Sequence, residues 1–171
     1  MSGRAENTVN HAPLYTALER QRRDASRWTL VQGILAPLQF AVLLVSVALI
    51  ARVFATGEGY FAATASIVIK TAVLYTIMVT GSLWEHDVFG KYLFAPAFFW
   101  EDAVSFVVIA LHTVYLATLF FDWLTPNEKL GLALVAYATY LVNAAQFLLK
   151  LRMARRDSVR TTSALSAEPA R

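Results

Sequence analysis

The sequence predicts an all-α, polytopic membrane protein in which four transmembrane helices form a bundle. Hydrophobic residues make up 57% of the 171-residue chain and charged residues 16%, whereas soluble domains are about 45–50% apolar and about 25% charged. The excess is concentrated in four segments, each long enough to cross a hydrocarbon core, which takes about 20 helical residues. Backbone groups in lipid must be hydrogen-bonded within the chain, so helices are expected. The predicted spans are residues 28–54, 59–84, 101–122 and 127–151.

The segments outside the spans are polar. Residues 1–27 are predicted to be an N-terminal tail with a short helix, and the first span is too long for a cleaved signal segment. Residues 152–171 end in small polar residues, which favours a disordered tail. The chain has no cysteine, so neither disulfides nor thiolate metal sites are expected.

Two helix starts have a recognisable signature. Thr16 and Glu19 have the spacing of a capping box, in which a threonine side chain and a glutamate three residues later bond each other's backbone N–H groups. Thr125 and Glu128 have the same spacing, with Pro126 at the first helical position. We therefore expect helices to begin at residues 17 and 126.

The basic residues predict the orientation. In a four-span topology only Arg52 and Lys129 fall on one side, and Lys70 falls inside a span. The other twelve fall on the opposite side: Arg4, Arg20, Arg22, Arg23, Arg27, Lys91, Lys150, Arg152, Arg155, Arg156, Arg160 and Arg171. Excess lysine and arginine mark the cytoplasmic face, so both termini are predicted to be cytoplasmic. The net charge of +3 is then a topology signal, and nucleic acid is not an expected partner.

Two ionisable residues lie deep in the predicted bilayer. With a helical rise of about 1.5 Å per residue, Lys70 lies about 21 Å and His112 about 16 Å from the cytoplasmic ends of their spans. A lysine near a helix centre costs about 2.5–3.5 kcal/mol on insertion scales and is a functional candidate by default. A structural ion pair, or a lysine that reaches outward, is the alternative for Lys70. A hydrogen-bonded core histidine is the alternative for His112.

Polar residues also form stripes along three spans. The stripes are Gln32, Gln39 and Ser46 on the first span, Glu101, Ser105 and His112 on the third, and Thr139, Asn143, Gln146 and Lys150 on the fourth. These stripes predict a buried polar site that contacts a ligand. The alternatives are hydrogen bonds that only join helices and, at the start of the third span, acids that only complement the helix dipole.

Four blocks of sequence carry a family resemblance: TGEGYFAATASIVIKTAVLYTIMVTGSLWE, GKYLFAPAFFWEDAVSFVVIALHTVYL, LYTALERQRRDASRWTLVQGILAPLQF and AYATYLVNAAQFLLKLR. Over residues 14–152 the chain resembles the 3-vinyl (bacterio)chlorophyllide hydratase family of phototrophic bacteria. The resemblance implies addition of water to the C3 vinyl group of chlorophyllide a, or a related chlorin, giving a 3-(1-hydroxyethyl) group on the way to bacteriochlorophyll a.

The resemblance also implies the surroundings of the protein. The expected location is the bacterial cytoplasmic membrane, inner or intracytoplasmic photosynthetic, crossed several times. The expected partners are the chlorin, the lipid bilayer and neighbouring enzymes of the pigment pathway. No cofactor and no protein-bound metal are expected, because the substrate itself carries magnesium.

Such a hydration needs a protonated carboxyl group, a base that orients water and an apolar slot for a flat ring. Glu85 and Glu101 are the leading catalytic pair, with Asp102 in reserve. The expected ring slot is formed by Trp84, Phe98, Phe99 and Trp100. Further expected substrate contacts are Lys70, Ser105, Asn143 and Gln146.

Two poses of the substrate remain open. In the favoured pose the vinyl group meets Glu101. In the opposite pose the vinyl group lies deep, beside Lys70 and His112, and His112 acts as acid or base. A different class of function also remains open, namely a non-catalytic pigment carrier or assembly factor, which would need the slot but no acid pair.

Overall fold

The computed structural model describes residues 14–167, with side chains as far as Arg156. Within that range the chain is helical and contains no strand. The helices are α1 (Ala17–Ala25), α2 (Arg27–Thr56), α3 (Tyr60–Phe89), α4 (Phe99–Phe121) and α5 (Pro126–Ala167). As predicted, four helices are long and apolar enough to cross a membrane: α2, α3, α4 and α5 as far as Arg156.

Both capping boxes are present. Glu19 N–H donates to Thr16 Oγ1 over 3.3 Å, and Thr16 N–H donates to Glu19 Oε2 over 2.7 Å. Glu128 N–H donates to Thr125 Oγ1 over 3.4 Å, and Thr125 N–H donates to Glu128 Oε2 over 2.8 Å. These reciprocal bonds satisfy backbone donors that a helix start leaves unpaired, so α1 and α5 begin where the sequence predicts.

The helix ends differ from the predicted span limits. Helix α3 continues past residue 84 to Phe89 and stops at Gly90, which has a φ of 73°. Helix α5 continues to Ala167, through most of the segment 152–171 that was predicted to be disordered; residues 168–171 lie outside the described part. The reason is that good helix formers, namely Leu, Arg, Met and Ala, follow residue 150, so the loss of apolar residues marks the membrane boundary and not the helix end.

The helices pack as two hairpins. Helix α2 lies along α3, α4 lies along α5, and the two hairpins touch each other less extensively. A buried hydroxyl network joins them, because Ser46 Oγ lies 2.8 Å from Ser66 Oγ and 2.7 Å from the Tyr137 hydroxyl. Helix α1 packs against α3 near Phe89, and we call this end of the bundle the α1 end.

The outer surface is apolar while the interior holds polar groups. Phe61 and Phe120 are 85% and 83% exposed, whereas Lys70 and Ser46 are fully buried. Exposed apolar surface on this scale is a mark of contact with lipid or with another protein. The distribution fits four membrane-crossing helices and directs attention to the buried polar residues.

Candidate active site

Three carboxyl groups meet at the α1 end. Glu85, Glu101 and Asp102 are only 5%, 6% and 4% exposed. Glu85 comes from the last turns of α3, and the other two come from the first turn of α4. The segment between Gly90 and Phe98 turns the chain back, so that the end of α3 and the start of α4 lie side by side.

Glu85 and Asp102 form a pair. Their carboxyl groups lie close enough to interact directly. A carboxylate only accepts hydrogen bonds, so two adjacent carboxyl groups can bond each other only when they share one proton. The sequence predicted Glu85 with Glu101; the structure instead pairs Glu85 with Asp102, the residue held in reserve.

The connecting segment supplies backbone donors to this pair. Phe94 N–H donates to Asp102 Oδ2 over 2.7 Å, and Ala95 N–H donates to Glu85 Oε2 over 3.2 Å. Phe94 has a φ of 58°, a left-handed conformation that non-glycine residues seldom adopt. The unusual backbone of Phe94 accompanies an N–H directed at the carboxyl pair.

Glu101 has a different partner. Lys150 Nζ lies 2.6 Å from Glu101 Oε2 in an ion pair that joins α4 to α5. One turn deeper, Asn143 Nδ2 donates to Ser105 Oγ over 2.7 Å, and Ser105 Oγ–H donates to the Glu101 carbonyl. Glu101 is therefore fixed as one half of a charge pair. We call Glu85, Glu101, Asp102 and Lys150 the carboxyl cluster.

An apolar groove lies next to the carboxyl pair, between α3 and α4. Its volume is about 270 Å³, and its lining residues are Met78, Val79, Ser82, Leu83, Leu93 and Phe106. Ser82 precedes Glu85 by three residues and Phe106 follows Asp102 by four, so each lies on the same helical face as its acid. Val79 and Phe106 are 62% and 42% exposed, so the groove opens to the apolar outer surface.

The four aromatic residues predicted as a ring slot do not form one. Trp84 and Phe98 pack edge to face, 5.5 Å between ring centroids, inside an aromatic cluster with Tyr15 and Phe89. Phe99 and Trp100 are 47% and 70% exposed and face outward. The groove between α3 and α4 is lined mostly by aliphatic residues instead. No periodic signal in the sequence distinguished these residues from other lipid-facing residues.

Lys70 and His112 lie together in a second region, which we call the deep layer with Tyr137 and Tyr140. Lys70 is fully buried, with Nζ 3.9 Å from the centroid of the Tyr140 ring. His112 Nδ1 lies 2.8 Å from the Val108 carbonyl oxygen, which can only accept, so Nδ1 carries the hydrogen. Lys70 Nζ and His112 Nε2 have no hydrogen-bond partner in the described part of the chain.

The deep layer is remote from the carboxyl pair. Fifteen residues separate Lys70 from Glu85 along α3, which is about 22 Å. Between the two regions, Asn143 Oδ1 and Gln146 Oε1 are buried without a partner among the described residues. The structure thus brings Ser105 and Asn143 near Glu101 but does not bring Lys70 or His112 to the acids.

A carboxyl pair that holds one proton can give that proton to a substrate and take another from water. The proton donor and the proton acceptor are then adjacent side chains, and the groove beside them suits a flat apolar molecule. Among residues 14–156 no group of three His, Asp or Glu side chains is arranged to hold a metal ion. Sequence reasoning missed the two amide donors and Lys150 as a partner of Glu101.

Fold and site together define a helical membrane protein with four candidate spans and a buried pair of carboxyl groups beside an apolar groove. A family model described as 2-vinyl bacteriochlorophyllide hydratase matches residues 15–153. The chain belongs to this family.

Two characterised relatives carry the same name. A 2-vinyl bacteriochlorophyllide hydratase of Cereibacter sphaeroides is 66% identical over 148 residues, 86% of this chain and 91% of the relative. Its namesake in Rhodobacter capsulatus is 65% identical over 142 residues, 83% of this chain and 82% of the relative. No solved structure matches this chain.

Proposed function

We propose that this chain hydrates the vinyl group of chlorophyllide a or a closely related chlorin, and that Glu85 and Asp102 carry the reaction. The observation that carries the proposal is the pair of buried carboxyl groups of Glu85 and Asp102, which accept the adjacent N–H groups of Ala95 and Phe94, next to a groove lined by apolar side chains. The names of the relatives number the vinyl position 2, whereas the systematic numbering used above makes it position 3; both denote the same substituent.

The helix dipoles and the backbone donors indicate which of the two carboxyl groups holds the proton. Asp102 lies in the first turn of α4, where the helix dipole favours negative charge, and accepts the shorter amide bond, from Phe94. Glu85 lies near the end of α3, where the dipole disfavours negative charge. Glu85 is therefore the acid and Asp102 the carboxylate.

The reaction follows from this assignment. Glu85 gives its proton to the terminal vinyl carbon, the double bond supplies the electron pair, and positive charge spreads from the inner carbon into the macrocycle. A water oxygen bonds to the inner carbon while Asp102 takes the water proton. The product is a 1-hydroxyethyl group, and the carboxyl pair again holds one proton.

No cofactor is proposed, because hydration adds one water molecule to the double bond with no net oxidation or reduction. The groove of about 270 Å³ is smaller than typical ligand pockets of about 300–1,000 Å³. It therefore cannot enclose the whole macrocycle, so one face of the ring lies along the groove while the other face stays in the lipid.

The proposal places the protein in the membrane of a phototrophic bacterium, with both termini and the carboxyl cluster at the cytoplasmic face. The twelve-to-two distribution of basic residues across the two sides supports this orientation. Lipid and neighbouring enzymes of the same pathway are the proposed partners. Reporter fusions at both termini test the orientation, and an external reporter signal at either one contradicts it.

The direct test is incubation of the purified, detergent-solubilised protein with chlorophyllide a, followed by mass analysis of the pigment. We expect a product heavier by one water, with one oxygen-18 incorporated when the solvent is labelled water. A pigment carrier would return chlorophyllide a unchanged, and so would contradict the proposal if the same sample retains bound pigment.

A further inference from the structure

Beyond the lining residues of the groove, a polar pair lies on the same helical faces. Tyr75 precedes Val79 by four residues on α3, and Thr113 follows Phe106 by seven on α4, so both lie on the stripes that line the groove. The Tyr75 hydroxyl lies 2.7 Å from Thr113 Oγ1 and is exposed at the lipid-facing side. This bond spans the crevice between α3 and α4 at its deep end.

The direction of the bond follows from the neighbouring contact. Thr113 Oγ–H donates to the Ile109 carbonyl over 2.8 Å. Because the hydroxyl has one hydrogen, Tyr75 is the donor in its bond to Thr113. Tyr75 thus directs a transferable O–H donor into the crevice.

The separation from the acids suits one molecule. Asp102 and Thr113 are eleven positions apart along α4, about 16 Å, and Glu85 and Tyr75 are ten positions apart along α3, about 15 Å. This span is comparable with the long axis of a chlorin from substituent to substituent. In chlorophyllide a, a keto carbonyl lies on the side of the macrocycle opposite the vinyl group.

We propose that Tyr75 is a substrate-binding residue that donates a hydrogen bond to the ring keto carbonyl of the chlorin, replacing its bond to Thr113. This rests on the proposed function, since it assumes that the vinyl edge meets Glu85 and Asp102. Contact at both ends of the long axis fixes which edge of the ring reaches the acid pair, so Tyr75 determines specificity for chlorins with a keto carbonyl opposite the vinyl group.

The test compares Tyr75→Phe with Thr113→Val and with Thr76→Val. Thr76 is a lipid-exposed neighbour whose hydroxyl bonds only its own helix, at Ala72, and serves as the matched control. Tyr75→Phe should raise KM for chlorophyllide a about 3- to 10-fold, the worth of one net hydrogen bond. It should leave KM unchanged for an analogue in which the keto carbonyl is reduced to a methylene group.

Thr113→Val removes the competing acceptor and leaves the Tyr75 donor, so it should not raise KM. If the pair is an interhelical clamp only, Tyr75→Phe and Thr113→Val should instead lower thermal stability alike and change KM alike for both pigments. That result overturns the inference.

A spectroscopic measurement separates this inference from the hydration proposal. Resonance Raman spectra of bound chlorophyllide a should show a keto stretch lowered by hydrogen bonding in the wild type and raised to the free position in Tyr75→Phe. Equal keto stretches in the two proteins, with hydration intact, overturn the inference alone. A lowered stretch without any hydration supports the Tyr75 contact and overturns the proposed reaction.

Discussion

The carboxyl cluster and the deep layer differ in the partners of their buried ionisable side chains. In the cluster, Glu101 is paired with Lys150, and the adjacent carboxyl groups of Glu85 and Asp102 accept two backbone N–H groups. In the deep layer, Lys70 Nζ lies over the Tyr140 ring and has no hydrogen-bond partner in the described part of the chain, although a lysine near a helix centre costs about 2.5–3.5 kcal/mol on insertion scales. The comparison teaches that burial alone does not identify the reactive group; an arranged set of partners does.

The greatest loss of turnover should follow substitution of either member of the Glu85–Asp102 pair. Glu85→Gln and Asp102→Asn each keep the size of the side chain but eliminate, respectively, the proton donor and the proton acceptor. Each should lower kcat about 10²- to 10⁴-fold, the usual worth of a positioned acid or base, with chlorophyllide binding retained. Turnover by purified, folded variants with chlorophyllide a measures the effect.

The control is Glu101→Gln, which should cost clearly less than either change because Glu101 is held in an ion pair. The ranking is the informative result. If Glu101→Gln is as damaging as Glu85→Gln while Asp102→Asn retains wild-type turnover, the catalytic pair is the one predicted from sequence and not the one the structure brings together.

A second prediction sharpens the role of the ion pair. Lys150→Met leaves the buried Glu101 carboxylate unpaired beside the Glu85–Asp102 pair, so one more proton should be drawn into the cluster. Turnover should fall about 10-fold, with a stability coupling of about 1–2 kcal/mol between Glu101 and Lys150, within the range for contacting pairs. This coupling free energy is well below that of a fully buried ion pair, because the Lys150 side chain is 20% exposed.

A double-mutant cycle measures this coupling. The variant carrying both Glu101→Gln and Lys150→Met has no unpaired charge, so its stability in detergent should exceed that of Lys150→Met alone. Strictly additive losses would mean that the two groups do not stabilise each other and that the contact between α4 and α5 depends on other residues.

The fold follows from the sequence because membrane-spanning helices are set by local properties. Apolar length defined the four spans, and the Thr16 and Thr125 capping boxes defined two helix starts. The end of α5 was not predictable from apolar content, because charged helix formers continue a helix beyond the membrane boundary.

The site was predictable only in part. Spacing along one helix placed Glu101 with Ser105. It could not show that Lys150, from another helix, forms an ion pair with Glu101. The Glu85–Asp102 pair depends on how the chain turns between Gly90 and Phe98, where the backbone of Phe94 adopts a left-handed conformation. Pairing between helices and backbone donors in a turn are tertiary properties that periodicity does not encode.

The smallest expected effect concerns Lys70, for which the sequence predicted a substrate contact. At about 22 Å from Glu85 along α3, Lys70 is too far to touch a chlorin edge held at the acid pair. Its burial costs about 2.5–3.5 kcal/mol on insertion scales, and the contact with Tyr140 returns about 2 kcal/mol when desolvated. Lys70→Leu should therefore raise the free energy of unfolding by about 1 kcal/mol and change turnover less than about 2-fold.

Arg52→Leu, which removes an exposed ion pair of 3.6 Å with Glu58, should change neither quantity measurably. Denaturant titration in detergent and turnover of chlorophyllide a, measured on the same preparations, decide the matter. A loss of turnover in Lys70→Leu without loss of folded protein would show that the deep layer takes part in the reaction, and the vinyl group would then have to be placed beside His112.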